Sequence, residues 1–287
     1  IRTRFAQVRH FFGMLRLMMD GKSSDAGVSS FQALTMALAG RVGTGNIAGV
    51  AAAITFGGPG ALFWMWMVAF LGASTAYIES ALAQIYKEKH DGQFRGGPAF
   101  YIEKGLGIKW YAILFAFSAI LACGVLLPGI QANSIADSLK NAMGIDTTVT
   151  AAILAVILGF IIFGGVKRIA KFAEIIVPFM ALAYIIIALV IVVMNIGELP
   201  NVLALIFKSA FGAEAAFGAV IGLAVEWGVK RGVYSNEAGQ GTGPHPAGAA
   251  NVSHPVKQGL VQAFSVYVDT LLVCSATGFM LIITGMY

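Results

Sequence analysis

The chain alternates long apolar segments with short polar loops. The apolar segments lie at about residues 29–57, 60–86, 110–138, 148–166, 172–196, 212–238 and 258–286. An α-helix needs about 20 apolar residues to cross the hydrocarbon core of a bilayer. The pattern therefore predicts an all-α polytopic membrane protein in which residues 1–287 form one transmembrane domain with seven spans. Residues 199–210 predict an interfacial helix, because Pro200 suits a first helical turn.

The first span contains a predicted break. Gly43, Thr44, Gly45 and Asn46 interrupt it near its middle and divide it into two half-helices. Backbone groups that leave a helix in hydrocarbon need other partners, so such a break occurs where it is buried in protein or lines a cavity. Secondary transporters bind substrates and cations at discontinuous helices of this kind. The alternative is an unbroken glycine-rich helix that packs closely against a neighbour.

Composition supports the membrane assignment. The chain is 58% hydrophobic and 11% charged, whereas a soluble domain has about 25% charged residues. Cys123 and Cys274 both lie in apolar segments and predict neither a disulfide framework nor a metal cluster. The net charge of +5 does not indicate nucleic-acid binding, because the basic residues lie in short loops between the spans.

The distribution of Lys and Arg predicts the orientation. Residues 1–22, 87–109, 167–171 and 230–257 hold sixteen of the 19 basic residues, whereas the opposite loops hold Lys140 and Lys208. Cytoplasmic loops carry the excess of basic residues. We therefore expect residues 1–28 to be cytoplasmic. The remaining basic residue is Arg41, which lies inside the first span, two residues before Gly43.

The span at residues 212–238 resembles the first span in reverse. It is similarly long, is interrupted by Gly218, Gly222 and Gly228, and starts on the opposite side of the membrane. This arrangement predicts an inverted repeat of five helices. The second repeat contains only two spans, so we expect the sequence to be cut short at its C-terminus.

Five sequence segments stand out together: GTGNIAGV at residues 43–50, GGPGALFWMWM at 57–67, GGP at 96–98, QANS at 131–134 and SNEAG at 235–239. In this order they resemble the alanine or glycine:cation symporter family of the amino acid–polyamine–cation superfamily. The resemblance implies a leucine-transporter-type fold, which is an inverted five-helix repeat with discontinuous helices. It also implies Na⁺-coupled symport of alanine or glycine by alternating access in the prokaryotic plasma (inner) membrane. Relative to that family, the leading helix and the last three core helices are missing, so the second repeat is incomplete.

The chemistry of an amino acid assigns candidate site residues. A carboxylate suits helix-end N–H groups and a nearby cation, and an ammonium group suits carbonyls or an acid. The predicted substrate-binding residues are Gly43, Thr44, Gly45, Asn46, Arg41, Gln131, Asn133, Glu226 and Trp227. Thr44, Asn46 and Asp269, the one acidic residue of the last span, are the predicted cation-binding residues. The expected partners are a small neutral amino acid, Na⁺ with H⁺ as an alternative, and the lipid bilayer; we expect no cofactor, no other metal and no nucleic acid.

Arg41 and Glu226 are predicted to face each other across the substrate cavity. At 1.5 Å per residue both lie roughly 18–21 Å from their entry side of the membrane, so they share a depth. A lone charge at this depth costs about 2.5–3.5 kcal/mol, and mutual contact would remove most of that cost. The alternative is separate hydration in a vestibule, and Asp269 is the next candidate partner for Arg41.

Three other functions compete with alanine or glycine symport. Intramembrane hydrolysis is disfavoured because no histidine lies inside a span to activate a nucleophile, so we expect no enzymatic activity. An ion channel is the remote alternative, since selectivity filters are normally built around a symmetry axis by several subunits. Symport of glutamine or another neutral amino acid is the closer one, because Arg41 and Glu226 could serve a larger polar side chain.

Overall fold

The protein is built from α-helices and a short β-hairpin. A computed structural model describes residues 4–21, 24–212 and 218–287. The α-helices are α1 (Ala6–Arg9), α2 (Phe11–Met18), α3 (Ser30–Arg41), α4 (Val50–Gly57), α5 (Gly60–Ile85), α6 (Pro98–Tyr101), α7 (Lys109–Leu121), α8 (Leu127–Met143), α9 (Thr147–Ile162), α10 (Gly165–Met194), α11 (Leu199–Phe211), α12 (Gly218–Asn236), α13 (Pro244–Ala249), α14 (Pro255–Tyr267) and α15 (Ser275–Thr284). The hairpin pairs β1 (Glu88–His90) with β2 (Gln93–Arg95) in antiparallel register.

Several helices are joined by turns of wider or tighter winding. A 3₁₀ turn, Ile196–Glu198, leads into α11. The π-helical segments are Gly45–Gly49 before α4, Ile102–Leu106 after α6, Ala122–Leu126 between α7 and α8, and Val268–Cys274 between α14 and α15. Short π-helical turns within α-helices are frequent at functional sites. Two of these segments carry the predicted site residues Asn46 and Asp269.

The helices confirm a polytopic helical membrane protein. Within the described residues, four segments are long and apolar enough to span a membrane: Gly60–Ile85, Lys109–Met143, Gly165–Met194 and Pro255–Thr284. The pair Ser30–Arg41 and Gly45–Gly57 qualifies as a fifth span bent by 54°. The remaining two predicted spans are weaker, because α9 is a shorter apolar helix and α12 carries Glu226, Lys230 and Arg231. The predicted short helix after Pro200 is α11.

The predicted break of the first span is confirmed. α3 starts at a capping box, in which Ser29 Oγ accepts from the Gln32 N–H and Gln32 Oε1 accepts from the Ser29 N–H. It ends at Arg41, and Val42 is extended at φ −79° and ψ 107°. The chain resumes as the π-helical segment that begins at Gly45. The two half-helices therefore have different directions on either side of residues 42–44.

The second break does not lie where the glycine pattern predicts it. α12 is a continuous helix through Gly218, Gly222 and Gly228, and residues 213–217 of the predicted span lie outside the described residues. Helical glycine is tolerated when its environment requires no side chain. The helix instead stops after Asn236, and an irregular segment, residues 237–243, leads to the short helix α13. The predicted glycine break is therefore wrong over the described part of this span, and the inverted repeat stays a prediction. We call residues 237–243 the second break.

The loops assigned to one membrane side meet at one end of the molecule. The Val28 N–H donates to the Ala249 carbonyl oxygen at 3.0 Å, and the Asn251 N–H donates to the Val28 carbonyl oxygen at 2.8 Å. The Phe94 N–H in the hairpin donates to the Ala26 carbonyl oxygen at 2.6 Å. The segment before α3 is therefore held between the hairpin and the segment after α13. This agrees with the grouping of loops by charge, and the orientation itself stays a prediction.

α5 lies at the centre of the bundle and packs against α12 and α14. Its buried side chains are mainly small, which lets membrane helices approach closely. Those that are fully buried and apolar are Ala61, Leu62, Met65, Ala69, Ala73, Ala76 and Ala83. The α5–α12 crossing depends on Gly228, where a Cβ would lie 2.6 Å from the Ala61 carbonyl oxygen.

We expect Gly228→Ala to destabilise the protein by about 1–3 kcal/mol, the usual cost of overpacking a well-packed contact. Gly222→Ala, on the same helix, is the matched control, because no described atom lies within 4 Å of its added Cβ. Thermal unfolding of both purified variants in detergent measures the difference. Equal melting temperatures would contradict the close crossing at Gly228.

Candidate functional site

The breaks after α3 and after α12 meet at a small polar cavity. Its volume is about 30 Å³, and both breaks and α8 contribute to its wall. It is lined by Gly40, Arg41, Gly45, Leu127, Gln131, Tyr234 and Glu237. The cavity thus has a basic, an acidic and an amide side chain in its wall. We call it the central cavity.

Side chains satisfy the backbone that the first break releases. The Gly43 N–H donates to Asn46 Oδ1 at 2.7 Å, and the Thr44 N–H donates to Gln131 Oε1 at 3.0 Å. The Thr44 hydroxyl donates to the same Gln131 oxygen at 2.5 Å. A Cβ on Gly43 would lie 2.7 Å from Gln131 Nε2, so Gln131 would have to move to admit a side chain there. Side chains therefore stabilise the break, and α8 supplies part of its polar environment.

The second break is held by acidic side chains. Glu237 adopts φ 53°, a left-handed conformation that is uncommon for a residue with a side chain. Its carboxylate accepts from the Thr242 hydroxyl at 2.6 Å. The buried Glu79 carboxylate of α5 accepts from the Gly239 N–H at 3.3 Å. Strained backbone of this kind persists where the surroundings hold it, and it is common at binding sites.

Arg41 lies between the two breaks and is 2% exposed. Its Nη1 donates to Ser265 Oγ of α14, whereas Nε and Nη2 have no hydrogen-bond partner among the described residues. A Cβ on Gly243 would lie 2.7 Å from Arg41 Nη2 and 3.8 Å from Glu79 Oε1. The guanidinium and this carboxylate therefore flank the same turn of the second break. Arg41 retains donors that a bound anionic group could use.

The predicted contact between Arg41 and Glu226 is wrong. Glu226 is half exposed and pairs with Lys230 one turn further along α12. Equal depth in the membrane does not place two side chains on facing sides of their helices. The side chain of Glu226 turns toward the outer surface of α12, while Arg41 turns toward α14.

Asp269 is the centre of a second polar cluster, which is fully buried. Its Oδ1 accepts from Asn46 Nδ2 at 2.6 Å and from Ser235 Oγ at 3.1 Å. Its Oδ2 accepts from Thr270 Oγ1 at 2.8 Å. Cys274 Sγ lies 3.2 Å from both Asn46 Nδ2 and Ser235 Oγ. Three chain segments, the π-helical turn after the first break, the last turn of α12 and the last π-helical segment, therefore meet at one carboxylate.

The side chains of this cluster bear on the cation site that the sequence predicts. Among the described residues, no basic side chain forms an ion pair with Asp269. Buried charges are paired or coordinate cations, because an isolated one is very costly. The Ser235 and Thr270 hydroxyls can turn their lone pairs toward a cation, as can the carboxylate itself. The residues present therefore fit a small cation or a proton.

The structure separates the predicted site residues into two groups. Arg41, Gly45 and Gln131 line the central cavity, and Gly43 and Thr44 contact Gln131 beside it. Asn46 instead reaches Asp269, so Asn46 and Thr44 point to different polar centres.

Three predicted substrate-binding residues lie elsewhere. Asn133 is exposed on α8 and donates to Asp137 of its own helix at 3.0 Å. Trp227 stacks on Phe56 of α4, with ring centroids 4.8 Å apart. Glu226 is bound to Lys230 as described above. Each occupies a helix face directed away from the central cavity.

The site also contains residues that the sequence analysis did not select. They are Glu79, Tyr234, Ser235, Glu237 and Thr270. Three of them lie in or beside the segment SNEAG, and the following Gly239, Gly241 and Gly243 form an alternating run of glycines. That run is the signal that could have located the second break, since alternating glycines do not suit a continuous helix.

Burial shifts the pKa of Lys87, which lies outside the spans. Lys87 follows α5, and desolvation lowers its pKa to about 8. Its ammonium group donates to Gln84 Oε1 at 2.7 Å and to the Ala250 carbonyl oxygen at 2.8 Å. Lys87 thus joins α5 to the segment after α13, at the end of the molecule where the loops meet.

The sequence matches the sodium:alanine symporter family over residues 1–287. The chain therefore belongs to that family. YrbD of Bacillus subtilis (strain 168), named provisionally as a sodium/proton-dependent alanine carrier, is 69% identical over 100% of the chain and 59% of its own length. The sodium/proton-dependent alanine carrier of Bacillus sp. (strain PS3) is 57% identical over 96% of the chain and 61% of its own length. GlnT of B. subtilis (strain 168), named provisionally as a sodium/glutamine symporter, is 48% identical over 100% of the chain and 60% of its own length.

The family membership confirms the resemblance that the five motifs predicted. It also agrees with the helices in identifying a multi-pass membrane protein of a transporter family. The chain spans about three fifths of the length of these relatives.

We expect Asn46 and Asp269 to be energetically coupled. Asn46→Ala and Asp269→Ala should each destabilise the protein, and the double variant should be less damaged than the sum by about 0.5–3 kcal/mol, as for residues in one buried network. Thermal unfolding of the four proteins in detergent gives the coupling free energy. Asn133→Ala is the matched control, because its amide is exposed; additive effects of the first pair would contradict the network.

Proposed function

We propose that this chain carries the substrate and cation sites of a secondary transporter that imports a small neutral amino acid together with Na⁺. H⁺ is the alternative coupling ion. The observation that carries the proposal is the central cavity, where two discontinuous helices meet in a member of the sodium:alanine symporter family. Discontinuous helices are the usual construction of substrate and ion sites in such transporters.

The wall of the central cavity suits both ends of a zwitterion. The unpartnered donors of Arg41 fit the carboxylate of an amino acid, and the Glu237 carboxylate fits its ammonium group. Gln131 holds the Thr44 backbone and hydroxyl and adds an amide to the same wall. An opposite-charge pair of groups on facing sides would select an amino acid over a simple acid or amine.

The size of the cavity favours alanine or glycine over glutamine. Its volume of about 30 Å³ is a few times the roughly 10–15 Å³ that a cavity needs to hold one water. An amino acid must therefore widen it on binding, and each additional side-chain atom requires more displacement of Leu127 and Tyr234. The relatives named as alanine carriers also have higher identity to this chain than the relative named as a sodium/glutamine symporter.

The cation site of the proposal is the Asp269 cluster. Na⁺ would be held by the Asp269 carboxylate with the hydroxyls of Ser235 and Thr270. Asn46 links this cluster to the first break, because its Oδ1 holds the Gly43 N–H and its Nδ2 holds Asp269. Cation and substrate would therefore both act on residues 43–46, which gives a physical basis for coupled binding.

The membrane arrangement of the proposal follows the charge pattern and the family. Residues 1–28 and the other basic loops face the cytoplasm across a prokaryotic plasma (inner) membrane, and the broken helices α3–α4 and α12–α13 are the first helices of two inverted repeats of leucine-transporter type. Transport proceeds by alternating access, with no chemical step and no cofactor. An ion channel or an enzyme would not need a substrate cavity and a cation cluster that are linked through the residues of one helix break.

Uptake by cells that express the full-length protein tests the function. We expect saturable uptake of labelled alanine that requires a Na⁺ or H⁺ gradient, with strong competition by glycine and weak competition by glutamine. Dissipating both gradients should abolish accumulation. Alanine flux that is non-saturable, or that persists without any cation gradient, would contradict coupled symport.

We expect variants of the two clusters to separate cation from substrate effects. Asn46→Ala should raise the Na⁺ concentration for half-maximal uptake about tenfold, and Gln131→Ala should raise the alanine KM by a similar factor, each equal to ~1.4 kcal/mol of binding. Asn133→Ala should change neither value. Kinetics of alanine uptake at varied Na⁺ concentration measure both; an unchanged Na⁺ dependence in Asn46→Ala would remove the Asp269 cluster from the cation site.

A further inference from the structure

One face of α14 carries buried polar side chains along its length. Gln258, Gln262 and Ser265 are fully buried, and Asp269 follows in the π-helical segment. Their spacing along the chain places them on one side of the helix. At 1.5 Å per residue the row is roughly 16 Å long. We call these four residues the polar row.

The polar row faces α3. Gln258 Nε2 donates to Ser30 Oγ at 3.1 Å, at the first residue of α3. Gln262 Nε2 donates to the Ala33 carbonyl oxygen one turn later, at 3.2 Å. The row therefore extends from the end where the loops meet to the Asp269 cluster, along the half-helix that precedes the first break.

Atoms along this row have unmet hydrogen-bonding capacity. Within the described residues, Gln258 Oε1 and Ser80 Oγ of the adjoining helix α5 are buried without a partner, as are Nε and Nη2 of Arg41. Buried polar atoms in proteins are nearly always bonded to protein or to ordered water. An interface that only held two helices together would gain nothing from these additional polar atoms.

Arg41 closes the inner part of the row. Its Nη1 donates to Ser265 Oγ, which in turn donates to the Gln262 carbonyl oxygen at 2.6 Å. A positive charge at this position opposes the passage of a cation along the row. Glu79 lies on the other side of Arg41, across Gly243, so a shift of the guanidinium toward that acid would release Ser265.

We propose that the polar row is the route by which the coupling cation leaves Asp269 toward the end of the molecule where the loops meet. The inference rests on the proposed symport function. The amide and hydroxyl oxygens of Gln258, Gln262 and Ser265, with water held by the unpartnered atoms, replace the hydration shell of the departing cation. Arg41 closes the route in the conformation described here and opens it when it leaves Ser265.

Gln258→Leu and Gln262→Leu test the route, because they remove the polar groups and keep a similar volume. Net Na⁺-driven alanine uptake into proteoliposomes should fall about tenfold in each variant, since it requires release of the cation. Exchange of labelled for unlabelled alanine with saturating Na⁺ on both sides should stay near the unmodified rate, because exchange does not require that release. The melting temperature should be unchanged or higher. Gln262→Asn keeps an amide group, so it should retain more net uptake than Gln262→Leu.

Two other outcomes would contradict the proposed route, and they differ in which measurements change. Parallel loss of exchange, net uptake and melting temperature would show that the row only holds α3 against α14, and unchanged net uptake would show that the cation leaves elsewhere. Gln93→Leu in the hairpin is the control for the Gln-to-Leu change itself. Absence of Na⁺-dependent exchange in the unmodified protein would overturn the proposed function, and this inference with it.

Discussion

The buried carboxylate of Asp269 is the interaction on which the rest of the site depends. It is fully buried, and it accepts hydrogen bonds from Asn46, Ser235 and Thr270. A carboxylate that is fully buried cannot remain charged without compensation, so the surrounding residues must place hydrogen-bond donors or a cation close to it. Asn46 meets this need from the first break, and Ser235 meets it from the end of α12. The two broken helices are thereby joined at one point.

The breaks themselves follow from the same requirement. A helix that stops within hydrocarbon exposes backbone groups, and here side chains from other helices satisfy them. Asn46 and Gln131 accept from the Gly43 and Thr44 N–H groups, and Glu79 accepts from the Gly239 N–H. Each break is therefore stable only in the presence of the other helices. A cavity remains between them, and Arg41 in its wall has two donors, Nε and Nη2, without a partner in the described part of the chain.

The arrangement gives a physical route for coupling. Asn46 contacts the Asp269 cluster with its amide nitrogen and the backbone of the first break with its amide oxygen. Under the proposed function, a change in cation occupancy at the cluster would alter the hydrogen bond from the Gly43 N–H to Asn46 Oδ1, and Gly43 adjoins the central cavity. Coupling between two ligands requires a shared element with two arrangements, and residues 42–46 are the element that both sites contact.

The sequence by itself determined the class, the family and the first break. These properties depend on composition and on position along the chain. The length of an apolar segment, the position of a glycine and the number of basic residues in a loop all follow from the order of residues alone. Only the tertiary structure decided which charges meet. Arg41 and Glu226 share a depth but lie on helix faces that turn apart, and Asn133 and Gln131, two residues apart on α8, face different surroundings. The second break lies at residues 237–243, where the Glu79 carboxylate of α5 and a hydrogen bond from Thr242 to Glu237 within the segment stabilise it, whereas Gly228 of α12 serves close packing against α5.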